Sequence, residues 1–302
     1  MASGSNPTKA ILYALGANFA IFVAKAFAAF VTGSGAMLAE AVHSLADCGN
    51  QGLLLLGMKR ADLPASPDHP LGHGKATYFW SFLVAVMLFS VGGMFSLYEG
   101  WHKLHEPEPL QKWWWAAGVL IFGIVVEGVS MKACVDEINK TRGPRSLWRW
   151  FRESRQAELV VIFGEDLAAL LGLVFAFVAI MLTVVTGNPL FDAIGTLGIG
   201  ALLIVVAVLV ALEVKAMLIG QSADPELTAS VRAFIEARPE VEKVFNVITF
   251  QLGDDIMLSV KARMDGSGGA AELVSRINAV EAAVKGQFPA IRWSFFEPDV
   301  AD

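Results

Sequence analysis

Charge and cysteine are both scarce in this sequence. Asp, Glu, Lys and Arg make up 17% of its 302 residues and hydrophobic residues 55%, whereas a soluble domain normally carries about 25% charge. The two cysteines, Cys48 and Cys134, are too few for a disulfide framework or a four-thiolate zinc site. The formal net charge of −6 argues against a nucleic-acid partner, because nucleic acids attract basic surfaces.

Long apolar runs are what the sequence has instead. A helix needs about 20 mostly apolar residues to cross the hydrocarbon core of a bilayer. We therefore predict an all-α, six-helix transmembrane domain over residues 1–220. Its helices are numbered spans 1 to 6 in chain order: Ala10–Val31, Ala36–Met58, Thr77–Tyr98, Trp115–Val135, Val160–Val185 and Phe191–Leu212.

The loops between the spans differ in positive charge. The loop after span 2 carries Lys59, Arg60 and Lys75, and the loop after span 4 carries six lysine or arginine residues within 140–155. The loops on the other side carry few. Positively charged loops stay in the cytoplasm, so we predict an integral, multi-pass membrane protein with both termini cytoplasmic. The expected location is a bacterial inner membrane.

Residues 221–302 have mixed charge and predict a small cytoplasmic domain. The order helix–strand–strand–helix–strand is typical of an α+β, ferredoxin-like (αββαβ) fold. Because so short a domain has a thin core, we expect it to pack against a second copy and to serve dimerisation. Its predicted elements are Pro225–Ala237, Val244–Leu252, Ile256–Met264, Ala270–Lys285 and Ile291–Phe296.

Span 2 carries polar residues along one face. Glu40, His43, Asp47, Asn50 and Gln51 recur at spacings of three and four, which places them on the same side of a helix. His43 and Asp47 are about 6 Å apart along the axis, and imidazole with carboxylate suits Zn²⁺, Fe²⁺, Co²⁺ or Mn²⁺. The alternative is a hydrogen-bonding stripe between helices. Two ionisable groups in one span are costly for that purpose, so we favour a metal site.

Span 5 contributes Glu165 and Asp166. Consecutive helix residues point about 100° apart, so one of the two faces the site more directly, and which one is the direct ligand stays open. His43, Asp47 and one of these carboxylates, with water or the other carboxylate, would form a four-coordinate set. The candidate metal-binding residues are His43, Asp47, Asn50, Glu165 and Asp166.

Two motifs carry a family resemblance. Residues 34–47 (SGAMLAEAVHSLAD) and 69–75 (HPLGHGK) resemble the second helix and the start of the third helix of the cation diffusion facilitator family. Asp192 and the pair Glu297 and Pro298 also fit. The resemblance extends over essentially the whole chain, and it implies a homodimeric secondary transporter that exports cytoplasmic Zn²⁺, or a related divalent cation, in exchange for protons. Metal would be cargo, with no cofactor and no enzymatic activity.

The resemblance also assigns ligands. The family's second-helix ligands carry over to His43 and Asp47, and its fifth-helix aspartate to Asp166. The family's usual fifth-helix histidine falls on Ile162, as in a branch of the family that has this substitution. A carboxylate in place of an imidazole hardens the site, so a Mn²⁺, Fe²⁺ or Co²⁺ transporter of the same fold is the alternative.

Other polar residues allow two interpretations each. Asp68, His69 and His73 in the loop after span 2 form either a low-affinity site that captures metal or a turn that positions span 3. Lys25 and Glu127 form a buried pair or line the pathway, with snorkelling of Lys25 favoured. A passive cation channel is a further alternative, although no filter-like loop is present. An intramembrane metalloprotease lacks its H-E-x-x-H motif.

Overall fold

The structure is a computed structural model, and it describes residues 7–107, 110, 112–265 and 268–301. Six long helical segments account for the six predicted spans. Five are single α-helices, and the third consists of two α-helices joined by a π-helical segment. In chain order the segments are α1 (Pro7–Thr32), α2 (Gly35–Ala61), α3 (Ala76–Met87) with α4 (Phe95–His105), α5 (Trp113–Thr141), α7 (Ala157–Thr186) and α8 (Leu190–Ile219).

The π-helical segment Leu88–Met94 joins α3 to α4. It packs against α2 and α8. Its glycines, Gly92 and Gly93, are buried, so it brings backbone close to both neighbours. A hydropathy pattern does not distinguish π from α winding, because both bury the same apolar side chains. π-helical turns within α-helices are frequent at functional sites.

Four segments have the length and apolar composition of membrane-spanning helices: Ala76–His105, Trp113–Thr141, Ala157–Thr186 and Leu190–Ile219. In α1 the apolar stretch found among the described side chains is Asn18–Thr32, which is shorter than these four segments. The helix α2 is long, at 27 residues, but it buries Glu40, His43 and Asn50 among its neighbours. The polar side chains of α2 therefore face the interior of the bundle.

The hairpin between α1 and α2 is held by a residue from another helix. Asp192, in the first turn of α8, accepts hydrogen bonds from Ser34 Oγ at 2.6 Å and from the Gly35 backbone N–H at 2.8 Å. Ser34 Oγ in turn accepts from the Met37 N–H, as an N-cap residue does. The end of the bundle at which α2 and α8 begin is called the far side below.

A short helix, α6 (Leu147–Glu153), lies in the basic loop between α5 and α7. The basic loop was predicted from the sequence without a helix. Ser146 caps it by accepting a hydrogen bond from the Arg149 N–H. Trp150 and Phe151 are buried in the transmembrane core, whereas Trp148 is exposed. The apolar side of this helix therefore fixes the loop against the bundle.

Residues after α8 form the predicted α+β domain. Helix α9 (Pro225–Glu236) precedes strands β1 (Val241–Leu252) and β2 (Asp255–Met264), and helix α10 (Ala270–Gln287) precedes β3 (Ile291–Pro298). The sheet order is β1–β2–β3, with β1 and β2 antiparallel and β2 and β3 parallel. The fold class predicted from the sequence is confirmed.

The α+β domain meets the bundle through the β1–β2 turn. The Gly253 backbone N–H donates a hydrogen bond to Tyr78 Oη at 2.9 Å. A Cβ on Gly74 would lie 2.1 Å from the Leu252 carbonyl oxygen, so this contact requires glycine. Lys75 Nζ lies 5.2 Å from the centre of the Phe250 ring. The start of α3 and the tip of the hairpin are therefore packed backbone against backbone.

Candidate metal site

A cavity of about 350 Å³ lies among α1, α2, α5 and α7. Its walls carry five carboxylates, and none of the described residues that line it is basic. Isolated charges inside a membrane domain are expensive and mark ion pathways. The lining residues are Asn18, Asp47, Gln51, Leu54, Met58, Glu127, Ser130, Glu158, Ile162, Glu165, Asp166 and Ala169.

The cavity extends from the middle of the bundle toward the α+β domain. On α2 its lining begins at Asp47 and reaches Met58, near the end of that helix. On α7 it extends from Ala169 back to Glu158 in the first turn. Glu158 also lines a second cavity, of about 390 Å³, beside the β1–β2 turn. One carboxylate thus lines both cavities.

His43 and Asp47 lie one helical turn apart on α2. The distance between His43 Nδ1 and Asp47 Oδ1 is 3.7 Å. The His43 side chain is fully buried, and neither of its ring nitrogens has a hydrogen-bond partner. Because a buried polar atom without a partner is costly, this ring is available to a ligand that the structure does not contain.

The two acidic residues of α7 contact different helices. Glu165 Oε1 accepts a hydrogen bond of 2.5 Å from Asn50 Nδ2 on α2. Asp166 Oδ2 accepts one of 3.1 Å from Ser130 Oγ on α5. Both carboxylates line the cavity. The angular separation expected of neighbouring helix residues is therefore present, with Glu165 directed to α2 and Asp166 to α5.

The predicted metal residues are brought into one region but not into one coordination shell. Asp47, Glu165 and Asp166 share the cavity, His43 adjoins it from the far side, and Asn50 holds Glu165. Among the residues that the structure describes, no three His, Cys, Asp or Glu side chains are close enough to hold one ion. Binding of one ion by three of them would need a different arrangement of these side chains or helices.

The loop residues proposed to capture metal lie partly together. The rings of His69 and His73 have centroids 4.3 Å apart. His73 lines the cavity beside the β1–β2 turn, and its Nδ1 is buried without a partner. Asp68 is exposed to solvent. The turn interpretation also has support, because the His73 carbonyl accepts from the Ala76 N–H at the start of α3.

Some polar residues of this region were missed or misassigned from the sequence. Lys25 does not snorkel: it is fully buried, and its Nζ lies 3.0 Å from Glu40 Oε2 and 2.8 Å from Ser44 Oγ. Ser130 was not singled out, although it lies three residues after Glu127, on the same helix face. Glu158 was left outside span 5 because the apolar run begins at Val160, whereas α7 begins at Ala157.

The comparison with known proteins identifies the family of this arrangement. The profile described as "Cation efflux transmembrane domain" matches residues 11–219, which cover all six long helical segments except the first residues of α1. The chain belongs to the cation efflux (cation diffusion facilitator) family. This family is one of transporters, and the recognition made from the two motifs is confirmed.

Curated relatives of the cation efflux family match most of this chain. The mouse "Proton-coupled zinc antiporter SLC30A9, mitochondrial" is 34% identical over 249 residues, which is 82% of this chain and 44% of that protein. The Arabidopsis thaliana "Metal tolerance protein C4" is 28% identical over 266 residues, 86% of this chain and 57% of its own length. The Klebsiella pneumoniae "Cation-efflux pump FieF" is 26% identical over 280 residues, which is 89% of this chain and 85% of that protein. The chain thus spans about half the length of the first two.

Proposed function

We propose that this chain is a secondary transporter that moves Zn²⁺, or a related divalent cation, across the membrane in exchange for protons. The observation that carries the proposal is the membrane-embedded cavity with five carboxylates and no basic residue among its described lining. The names of its relatives support the proposal, since one is a proton-coupled zinc antiporter and another a cation-efflux pump.

The proposed ligands are His43, Asp47 and Asp166, with Glu165 as a second carboxylate that Asn50 orients. Metal ligands must lose their protons before they bind a cation, so binding of metal releases protons and the two fluxes are coupled. A rearrangement of the side chains on α2 and α7, which are already in contact, would bring the imidazole and the carboxylates around one ion. Ile162 lines the cavity where the family's histidine would stand, so the shell is richer in oxygen and Mn²⁺, Fe²⁺ and Co²⁺ are alternative cargo.

Metal would reach this site from the side of the bundle on which the α+β domain lies. Glu158 lines both the cavity that contains Asp47 and the cavity beside the β1–β2 turn. His73 lines the second cavity and His69 stacks on it, so His69 and His73, with Asp68, are the proposed capture site. The orientation that we propose places this side and both termini in the cytoplasm, in a bacterial inner membrane. Reporter fusions at each terminus test the orientation.

We propose further that residues 1–220 form the transport domain and residues 221–302 the dimerisation domain of a homodimer. The two regions have separate hydrophobic cores. The strand residues Ile248 and Phe295 are apolar and more than half exposed, at 54% and 55%, which leaves apolar surface for a second copy. Molar mass in detergent, with Ile248→Lys as the variant, tests this assembly.

The transport proposal is tested in sealed proteoliposomes with an imposed pH gradient. Zn²⁺, Mn²⁺, Fe²⁺, Co²⁺ and Cd²⁺ are offered one at a time while metal uptake and proton release are both recorded. Changes to residues around a metal's direct ligands typically cost 10–100-fold, so His43→Ala and Asp47→Asn should each lower the coupled flux by about 100-fold or more. Asp136→Asn, the same change at an exposed position, should leave the flux unchanged.

Two outcomes would contradict the proposal in different ways. Unchanged flux in both His43→Ala and Asp47→Asn would remove the site. Metal flux without any proton movement, with unitary conductance steps, would instead assign a passive cation channel to the same cavity.

A further inference from the structure

A buried ion pair lies beyond the cavity, on its far side. Lys25 Nζ of α1 is 3.0 Å from Glu40 Oε2 of α2, and both side chains are fully buried. Lys25 Nζ also donates to Ser44 Oγ at 2.8 Å. A charge within a membrane domain costs several kcal/mol unless it is paired, so this pair holds α1 and α2 together at that level.

Glu40 reaches across to α7 as well. A Cβ placed on Gly172 would lie 2.4 Å from Glu40 Oε1, so the carboxylate occupies the space that glycine leaves. Glu40 Oε1 is buried and has no hydrogen-bond partner. The pair therefore fills the junction of α1, α2 and α7, and one of its oxygens is still free to accept a donor or a cation.

The pair is aligned with the candidate site along the same two helices. Glu40 precedes Asp47 by seven residues on α2, and Gly172 follows Asp166 by six on α7. At 1.5 Å per residue both displacements are about 10 Å, and because the helices are antiparallel both point to the far side. His43 lies between the two levels. The cavity lining ends at Asp47 and Ala169, so it stops short of this pair.

We propose that the Lys25–Glu40 pair is the seal that closes the metal path on the far side of the site in this conformation. The inference rests on the proposed transport function, because it assumes that the path continues from Asp47 past His43 to Glu40. The ammonium group of Lys25 occupies the place next to Glu40 that a passing dication would need. Opening to the far side then requires Lys25 to leave Glu40, and Lys25 and Glu40 act as positioning residues rather than as metal ligands.

Solvent access measured without transport tests this seal. In the full chain with Cys48→Ser and Cys134→Ser, His43→Cys places one thiol between the cavity and the pair. A charged, membrane-impermeant thiol reagent is added only on the far side of sealed vesicles. Lys25→Met removes the ammonium group and should speed labelling about tenfold, which corresponds to about 1.4 kcal/mol of closure free energy.

Matched variants separate sealing from folding. Lys25→Arg keeps the positive charge and should label as slowly as the parent. Lys103→Met makes the same change as Lys25→Met at a half-buried position near the far side, where Lys103 contacts the Gly33 carbonyl, and should also label slowly. The double exchange of Lys25→Glu with Glu40→Lys should restore slow labelling. Monodispersity by size exclusion in detergent is checked for every variant.

Labelling that stays slow in both Lys25→Met and Glu40→Gln, with monodisperse protein, would overturn the seal. This result is distinct from failure of the transport proposal, which is judged by flux in a chain that keeps His43. Faster labelling of Lys25→Met in a protein that moves no metal would support a seal whose path carries some other solute.

Discussion

The transmembrane domain buries charged side chains, whereas the α+β domain keeps them at its surface. In the bundle Lys25, Glu40 and His43 are fully buried, and Asp192 is nearly so. In the α+β domain none of the buried residues that the structure describes is charged. Its ion pairs, such as Arg292–Asp255 and Arg232–Glu236, lie at the surface.

Because of this contrast, we expect substitutions of charged residues to have different effects in the two domains. Burial of a charge costs free energy unless the charge is paired or hydrogen-bonded, so we expect substitutions at these buried residues to alter the proposed transport or the contacts between helices. The α+β domain has an ordinary apolar core built on Val231, Leu258, Val260 and Val280, and its charges could be exchanged at little cost. The predictions that follow test whether each domain responds to substitution as this division requires.

The largest effect is expected in the apolar core of the α+β domain. Leu258 is fully buried, and Leu→Ala in such a core costs about 2–5 kcal/mol. Leu258→Ala should therefore destabilise this domain by about 3 kcal/mol. Hydrogen exchange of the β2 amides in the full chain measures the change. Val274→Ala, at a position 55% exposed on α10, is the control and should alter exchange little; equal effects of both would show that the domain is not stabilised by this core.

The next effect concerns the two carboxylates of α7. If Asp166 is the direct ligand and Glu165 supports it, Asp166→Asn should lower coupled flux by about 100-fold, or about 2.7 kcal/mol. Glu165→Gln should lower it by about tenfold, since it weakens a partner that is held by Asn50. Flux of each metal against a pH gradient measures both variants. The reverse order would move the ligand role to Glu165, and equal losses would mean that both bind the ion.

The sequence could predict those elements that depend on local pattern. Apolar runs placed the six spans, and the strands predicted at Val244–Leu252 and Ile256–Met264 correspond to β1 and β2. The pairing of Lys25 with Glu40 could not be predicted, because it depends on the rotation of α1 relative to α2, which no spacing within one helix determines. Glu158 was missed for a local reason: the first turn of α7 is polar, and hydropathy underestimates the length of a helix that begins with such a turn.

The spacing of the candidate ligands along one helix could be predicted, but their arrangement between helices could not. The spacing on α2 correctly placed His43, Asp47 and Asn50 on one face. It does not give the distance between α2 and α7, which depends on how the helices pack. Whether these residues bind metal together stays a prediction that the flux experiments address.

A smaller effect is expected on selectivity among metals. Ile162 lines the cavity one turn before Asp166, at the position where the family resemblance implies a histidine in other branches. Ile162→His adds an imidazole to a shell of carboxylates, and imidazole favours Zn²⁺ over Mn²⁺. The ratio of Zn²⁺ to Mn²⁺ flux should rise about tenfold, or about 1.4 kcal/mol. Ile162→Asn, similar in polarity to a neutral imidazole but a poorer zinc ligand, is the control, and an equal rise there would exclude coordination as the cause.

The smallest effect is expected at a surface pair of the α+β domain. Arg292 Nη1 lies 2.9 Å from Asp255 Oδ2, with side chains 59% and 36% exposed. Exposed ion pairs contribute about 0–1 kcal/mol because water screens them, so Arg292→Gln should shift the exchange of the β2 and β3 amides by less than Leu258→Ala does, and less again at high salt. Lys25→Met removes one charge from a pair of similar length, yet both side chains of that pair are fully buried. If Arg292→Gln proved as disruptive to its domain as Lys25→Met to the bundle, the location of a charge would not decide its role, and the division between the two domains would fail.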